Sequence, residues 1–596
     1  MAASPLNNSS GPLSFIITCD GSPRSDQAQL ISIETNHSTN RIPTAILTII
    51  DGDMPNAAFP VSDGGDFNPG AVVAISAGYD GVVQPIFTGI VVKHGLKVDG
   101  DNHARLVVEC RDKALAMTVG RRNANYVEQS DSQIISALIA RHGGLTAAVD
   151  TTSVTYKELV QYYVSDWDYM MTRAEASGLL VTVDNGVVNV KAPQASGTPV
   201  LTVTYGIDMI SFQAELDARW QLASVTGTSW DLATQAIVQK KATPVTLAAQ
   251  GDSTPAKLAA VLGVDDFGLQ TAAPLASEAL TAWAKAQQTK SALARIRGRV
   301  QFQGSALVKP GMLLELAAAG KHFNGNVIVS NVFHRLADGN WVTEVEFGMP
   351  AYWFTEQHQL QAPEAAGWTA GIAGLHIGVV RKLDADPEGQ YKIQVLVPLM
   401  NAQTVGVWAR CASFYGSAGF GAFIIPEIDD EVVLGFFNND PSCPVILGSL
   451  YSSKHVPPYP LEAANNIKAL VTRSKLKMEY DDDKKVITLI TPANNKVVIS
   501  DDAKSILLQD QTGNKVELSP SGILLDSPKD ITISAKGKVA ISALKNVEVA
   551  AQMDVTVSGQ NVNHSAKIGF AAKGTATAEL SAAGQTTVKG AMVMIN

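Results

Sequence analysis

The densest carboxylates in the sequence stand in PEIDDEVV, where Glu427, Asp429, Asp430 and Glu431 crowd one short stretch. Two carboxyl groups held across a sugar can act as the general acid and nucleophile of a glycoside hydrolase. That chemistry needs a partner motif, and none is visible, so the run reads as a solvated turn before an apolar strand. EYDDDKK, residues 479–485, is a second acidic cluster. Calcium would require a closed ring of spaced oxygens, and the loop signature for one is missing; a charged turn between strands is expected. The ten histidines contain no HExxH and no paired metal spacing. His564 stands apart because a residue facing the axis of a trimer occurs three times there. Continuing the eight-residue repeat described below turns Asn563 and Ser565 inward and His564 outward, although the repeat becomes irregular after Val557.

Other chemistry-bearing runs have structural readings. GSAGFGAF, residues 416–423, has the glycines of a phosphate loop but lacks the Lys-Ser/Thr and the strand-to-helix setting. Cys19, Cys110, Cys411 and Cys443 are scattered without CxxC spacing, which leaves no zinc or redox signature and suits a reducing compartment. Arg295, Arg297 and Arg299 alternate with Ile296 and Val300 in ARIRGRVQF, as on the polar face of a strand. No catalytic, cofactor-binding or metal-binding residue emerges, no cofactor is implied, and the expectation is a protein that is not an enzyme.

The elements that carry these runs are mostly strands. The 596 residues suit several domains; 46% are apolar, 17% are charged and the formal net charge is −10. A mildly acidic chain is a poor general binder of nucleic acid or anionic membrane. The opening MAASPLNNSSGPLSF is not the charged start and apolar run of a signal peptide, and no stretch reaches the length of a membrane span. Residues 13–120 are short β-runs closed by Asp-Gly or Gly-Asp turns, as in a barrel or sandwich. SDSQIISALIARHGG and SDWDYMMTRAEASG are capped helices that stop at glycine, and LLVTVDNGVVNVKAP is a hairpin around Asn185-Gly186. Residues 245–293 are alanine-rich and read as helix in two pieces. Strands resume to about residue 349, and a compact β-region spans 373–452.

The last segment repeats itself. From residue 531 the chain reads ITISAKGK, VAISALKN, VEVAAQMD, VTVSGQ, with apolar residues at places one and three of each octad. These are Ile531 and Ile533, Val539 and Ile541, Val547 and Val549, Val555 and Val557; the preceding octad contributes Ile523 and Leu525. Alternate side chains of a strand share a face, so the pairs point together. Looser runs upstream (KLKMEY, KVITLIT, KVVIS, SILLQD, KVELS) recur about every ten residues and look like a wider base of the same rod. One such strand cannot hold a core alone and must stack on neighbours. Either one chain winds three octads per turn as a solitary β-helix, or three chains intertwine as a triangular prism. The low apolar content per octad favours the second, since three chains then share one core.

GFGAFIIPEIDDEVVLGFFNNDPSCPVILGSLYSSK, residues 419–454, closely resembles the oligonucleotide/oligosaccharide-binding (OB) type barrel of VgrG proteins and myophage tail spikes; GVVRKLDADPEGQYKIQVLVP is similar to that barrel's first hairpin. Upstream, FTGIVVKH, LVVECRDKALAMTVGRRN and KPGMLLELAAAGKHFNGNVIVSNVFHR resemble the hub of that family. The resemblance covers nearly the whole chain. It implies a mainly β protein with some helices in the hub. Residues 1–355 are the hub with two β-barrels and helical insertions, 356–372 a linker and 373–455 the OB-fold barrel. Residues 456–475 are a connector, and 476–596 an intertwined trimeric β-helix or β-prism needle.

The implied function is a structural, homotrimeric spike at the tip of the inner tube of a contractile injection system. Such a spike matches a sixfold tube to a threefold needle and punctures the target envelope. Implied partners are the chain itself, inner-tube or tube-initiator proteins at the hub, baseplate proteins and a PAAR-type tip protein at the C-terminal end (Val588, Met592, Met594); effector cargo is a further possibility, and no nucleic acid is implied. Such a spike is made in the bacterial cytoplasm without a signal peptide, enters a contractile particle of the type VI secretion or phage tail-like kind, and reaches the target envelope. A cell-wall hydrolase spike needs an inserted domain, and only about residues 453–475 separate barrel from prism. A trimeric receptor-binding tail fibre would need a C-terminal recognition domain.

Overall fold

The computed structural model of the chain describes residues 3–8, 11–24, 29–100, 103–194, 196–245, 247, 249–358, 360–400 and 406–595. Residues 1–2 and 9–10 of the opening run and Asn596, where the needle was expected to end, lie outside the described residues. The chain folds as two compact units, Met1–Ser449 and Leu450–Asn596.

A thirteen-stranded sheet organises the first unit. Its strands alternate buried and outward side chains, which is how a period-two sequence covers one side of a core. Leu30–Ser38 and Gly325–Ala337 pair antiparallel at the seam, with His37 opposite Val332 and His334 opposite Thr35. To one side follow Thr44–Asp51, Ala104–Arg111, Val82–Val98, Val72–Tyr79 and Leu13–Cys19, around a core that includes Ile33, Leu47, Ile75, Phe87, Leu106 and Val108. To the other follow Asn340–Phe347, Ile296–Gln303 and Met209–Leu216, around Val203, Val300, Phe302, Leu314, Val329 and Phe347. The arginines of ARIRGRVQF sit as the alternation requires: Arg297 and Arg299 point away from the core that receives Ile296 and Val300, and Arg297 pairs with Glu215 at 2.5 Å.

Between these strands lies a helical part with its own core. The helix Asp131–Ala140 starts at a capping box in which Ser130 accepts from the Gln133 amide and Gln133 reaches back to the Ser130 amide. Ser165 caps Asp166–Ala176 in the same manner by accepting from the Asp168 amide. The strands Leu180–Asp184 and Val187–Lys191 turn at Asn185 and Gly186, both at positive φ (49° and 74°), as a two-residue hairpin turn demands. The alanine-rich stretch holds the helices Pro255–Ala259 and Ser277–Leu293 as read, with one addition. A strand, Phe267–Gln270, lies between them and pairs parallel with Val225–Asp231. Its four residues are too few for a periodic signal.

The compact β-region is a closed barrel of His376–Lys382, Ile393–Leu396, Val407–Cys411, Pro444–Ser449 and Glu431–Phe436. Val380, Val395, Ala409, Val432, Leu434 and Ile446 fill it.

In the second unit seven five-residue strands form an antiparallel meander, each beside its sequence neighbour: Ile467–Val471, Lys477–Asp481, Val486–Ile490, Lys496–Ser500, Ser505–Gln509, Lys515–Ser519 and Gly522–Asp526. Among the described residues from 527 onward the chain bends at regular intervals and forms no strand ladder within itself.

Candidate functional site

The meander stacks its side chains into rows. Leu470, Met478, Leu489, Val497, Leu508, Val516 and Leu525 are successive cross-strand partners across all seven strands. Two residues away along each strand, and therefore on the same face, a second row runs Lys468, Tyr480, Ile487, Ile499, Ile506, Leu518 and Ile523. Thirteen of these fourteen residues are apolar or aromatic. The other face carries Ala469, Glu479, Thr488, Val498, Leu507, Glu517 and Leu524, a mixed row suited to water.

Among the described residues of the second unit nothing covers the apolar face. Leu470 is 51% exposed and Leu525 54%, and a groove of about 910 Å³ runs along the row from Leu470 to Leu525 and reaches Ile531. The largest apolar patch on an ordinary soluble monomer is a few hundred Å² and is usually functional. At the sheet's start, Lys477 bonds Glu479 at 2.8 Å and the Tyr459 hydroxyl donates to the same carboxylate. The Lys477 bond, then that of Tyr459, hold the Glu479 carboxyl below the ordinary glutamate range. This polar cluster ties the connector to the mixed face and leaves the apolar face open.

The ten residues expected in the needle core fall into two sets. Ile523 and Leu525 end the two apolar rows of the sheet. Ile531, Ile533, Val539, Ile541, Val547, Val549, Val555 and Val557 lie on the extended octads, and all are exposed. Their exposure is itself periodic: Val547 retains 55% and Val549 73% of its surface, and the neighbouring octads repeat that pair closely. Val588, Met592 and Met594, expected at the tip, are exposed as well. The sequence does not single out the rows that run through Leu470 and Tyr480. Their signal was present, since nearly every run carries an apolar pair at i and i+2.

The acidic run is a turn. Asp429, at φ 70°, accepts from Arg381 at 2.8 Å, and Asp430 accepts from the Glu427 amide at 2.9 Å. EYDDDKK is the hairpin end of two meander strands, where Asp481 accepts from the amides of Asp483 and Lys484 and Lys468 pairs with Asp482 at 2.6 Å. GSAGFGAF is the small hairpin Gly416–Ser417 with Phe420–Gly421. Among the described residues no group of three or more His, Cys, Asp and Glu side chains could hold a metal, and no helix is long and apolar enough to cross a membrane.

Two histidines that the sequence did not flag meet at the seam of the first unit. His334 is buried and shares a 2.9 Å bond from Nδ1 with Thr343 Oγ1. Burial pushes its pKa down to about 3, and the neighbouring His37 adds to this. Burial likewise lowers His37 to about 4, opposed by Asp184. Both line a cavity of about 360 Å³ whose rim carries the Lys309–Asp184 ion pair (2.6 Å).

Comparison with known proteins follows the same divisions of the chain. Residues 9–338 match the Alg8 N-terminal domain. Residues 376–451 match the type VI secretion system/phage-baseplate injector OB domain, and 486–566 the phage baseplate V C-terminal trimerisation domain. The type VI secretion system spike protein VgrG5 of Pseudomonas aeruginosa is 32% identical over 81 residues, 13% of this chain and 10% of the relative. The actin cross-linking toxin VgrG1 of Vibrio cholerae is 37% identical over 54 residues, 9% of this chain and 5% of the relative. The chain thus spans about a tenth or less of these curated relatives. Among solved structures, the 43 kDa tail protein of prophage MuSo2 from Shewanella oneidensis covers 57% of this chain and 99% of its own at 13% identity and a TM-score of 0.43. A component of the E. coli type VI secretion system covers 74% and 99% at 13% identity and a TM-score of 0.36.

Proposed function

We propose that this chain, which belongs to the family of the Alg8 N-terminal domain and is a VgrG-like spike protein, works as a homotrimer whose C-terminal unit is a puncturing needle. It is a structural tail spike of a contractile injection system, and the trimeric and mechanical part of the reading rests on one observation. A sheet whose one face carries two rows, apolar or aromatic at all places but Lys468, stands open to solvent in the single chain. Three copies arranged about an axis turn those faces inward and supply the ladder partners that the octads lack. A solitary β-helix would pair each octad with the one three octads on, and among the described residues no such ladder forms. The match of residues 486–566 to a trimerisation domain supports the same arrangement.

A rod of this kind suits mechanical work. Its cross-strand hydrogen bonds run along its length and its edges are hidden in the assembly. The two cored halves of the hub sheet, taken three times, offer six similar faces to a sixfold inner tube. The exposed Val588, Met592 and Met594 offer an apolar end to a PAAR-type tip protein. Baseplate proteins would surround the hub. The work is done by shape and not by turnover, so no catalytic residue is assigned. The particle that carries the spike would take it from the bacterial cytoplasm to the target envelope.

Light scattering on the purified chain, beside a version ending near residue 475, tests the reading. The expected result is a trimer whose association weakens on truncation. A full-length monomer with an intact C-terminal fold would overturn it.

A further inference from the structure

From Ile531 onward the bends fall at residues 536–537, 544–545 and 552–553, then at 560, and afterwards at 567–568, 575–576, 583–584 and 591–592. Counting five residues back from each bend starts the units at Ile531, Val539, Val547, Val555, Val562, Phe570, Ala578 and Thr586. Every unit is eight residues long except the one at Val555, which has seven. We infer that the shared core of the needle slips by one residue between Val557 and Val562 and then continues to the C-terminal end. From there Val562, His564, Phe570, Leu580 and Val588 face the two other copies of the chain. This deepens the homotrimer reading and rests on it.

Three further observations agree with the slip. The fifth place of every unit, which shares a face with places one and three, is then always alanine or glycine: Ala535, Ala543, Ala551, Gly559, Ala566, Gly574, Ala582 and Gly590. An unbroken octad would put Lys567 there. The unbroken octad would also turn Glu579, Lys573 and Lys589 inward at places one and three, burying charges in an apolar column without partners. With the slip, no charged residue occupies place one, three or five anywhere from Ile531 to Met594. Finally, His564 stacks on Phe570, with ring centroids 6.0 Å apart and planes 30° from parallel. Place three of one unit and place one of the next therefore lie side by side. His564 thereby leaves the outward position that an unbroken repeat assigned to it and becomes a ring of three imidazoles about the axis. The inference also carries the shared core beyond residue 566, where the trimerisation-domain match stops.

The test is labelling of one introduced cysteine at a time by a bulky water-soluble maleimide in the full-length chain, with Cys411 and Cys443 replaced by serine and the buried Cys19 and Cys110 kept. The four positions are Glu548→Cys, Val549→Cys, Asn563→Cys and His564→Cys. Val549→Cys and His564→Cys should react at least tenfold more slowly than the other two. A slow Asn563→Cys with a fast His564→Cys restores the unbroken octad and overturns the slip. A protected Val549→Cys with both later positions fast ends the shared core before Val562, which also overturns it. Fast labelling at all four positions removes the trimer reading itself, and the slip with it. As a check independent of cysteine, His564→Leu should raise the temperature at which the trimer dissociates and Asn563→Leu should not; the reverse order contradicts the slip.

Discussion

Replacing Val547 by aspartate tests the shared core at its most regular layer. In the single chain Val547 keeps 55% of its surface in water. Fully burying a valine is worth roughly 1.5–3 kcal/mol, so covering the exposed half contributes about 1 kcal/mol per chain and about 3 kcal/mol for three. Aspartate forfeits that gain and brings three carboxylates to one axis. At separations of about 6 Å and an effective dielectric near 20, each pair repels by about 3 kcal/mol, and three pairs by about 8 kcal/mol. The combined penalty of roughly 10 kcal/mol rivals the whole stability of an ordinary domain, about 5–15 kcal/mol. Val547→Asp should therefore leave chains that do not trimerise at neutral pH, whereas Val547→Thr, neutral and similar in shape, should trimerise with lower thermal stability. Acidification should partly rescue the aspartate, because protonation removes the repulsion. The assay is light-scattering mass with thermal dissociation followed in parallel. Soluble Val547→Asp trimers that dissociate at the wild-type temperature would refute the reasoning.

Three predictions concern the first unit. Lys290 is buried against Glu175, which is 4% exposed, and bonds Glu356 at 3.0 Å; Lys290→Met leaves Glu175 without its cation and should cost about 3–5 kcal/mol in urea unfolding. His334 is neutral in the fold, with its pKa lowered to about 3, while unfolded it titrates near pH 6.5. The unfolded chain then binds more protons below pH 6.5, so stability is level above pH 7 and falls as the pH drops, by roughly 3 kcal/mol at pH 4 for this residue. His334→Gln should flatten that part of the urea midpoint profile. A Cβ on Gly304 would stand 2.0 Å from the Trp341 ring, so Gly304→Ala should destabilise by about 1–3 kcal/mol or more through overpacking, read from the tryptophan fluorescence of unfolding.

What the sequence disclosed and what it withheld divide by distance along the chain. The Ser130 and Ser165 caps, the Asn185-Gly186 turn and the acidic turn at Asp429 are local; each is set by residues within a few places of one another. The octads were legible because repetition is itself a local signal. The pairing of Leu30–Ser38 with Gly325–Ala337 joins strands about half the chain apart, so nothing near His37 announced His334. Phe267–Gln270 was hidden because its four residues borrow their strand character from a parallel neighbour. The apolar rows of the meander were half visible: the alternation was readable in each run, but the alignment of seven runs into one face depends on strand register. The short unit at Val555 escaped because a missing residue looks like irregularity until bend positions give it a scale.

A rod of identical eight-residue units has a translational degeneracy: three chains displaced by one whole repeat bury nearly the same surface as three in line. The apolar sheet removes that degeneracy at its own end, where units of another length begin. Farther along, the seven-residue unit distinguishes one level from the next by its length. Three chains place their short units together only when they are in step, and any stagger sets a seven-residue unit of one chain beside an eight-residue unit of another. The deletion thus acts as an index mark, fixing alignment in the part of the rod most distant from the sheet. Inserting one residue after Gln560 erases the mark without shortening any column; staggered trimers, detected as C-terminal ends newly open to limited proteolysis, are the expected result, and ends as resistant as in the wild type would contradict it.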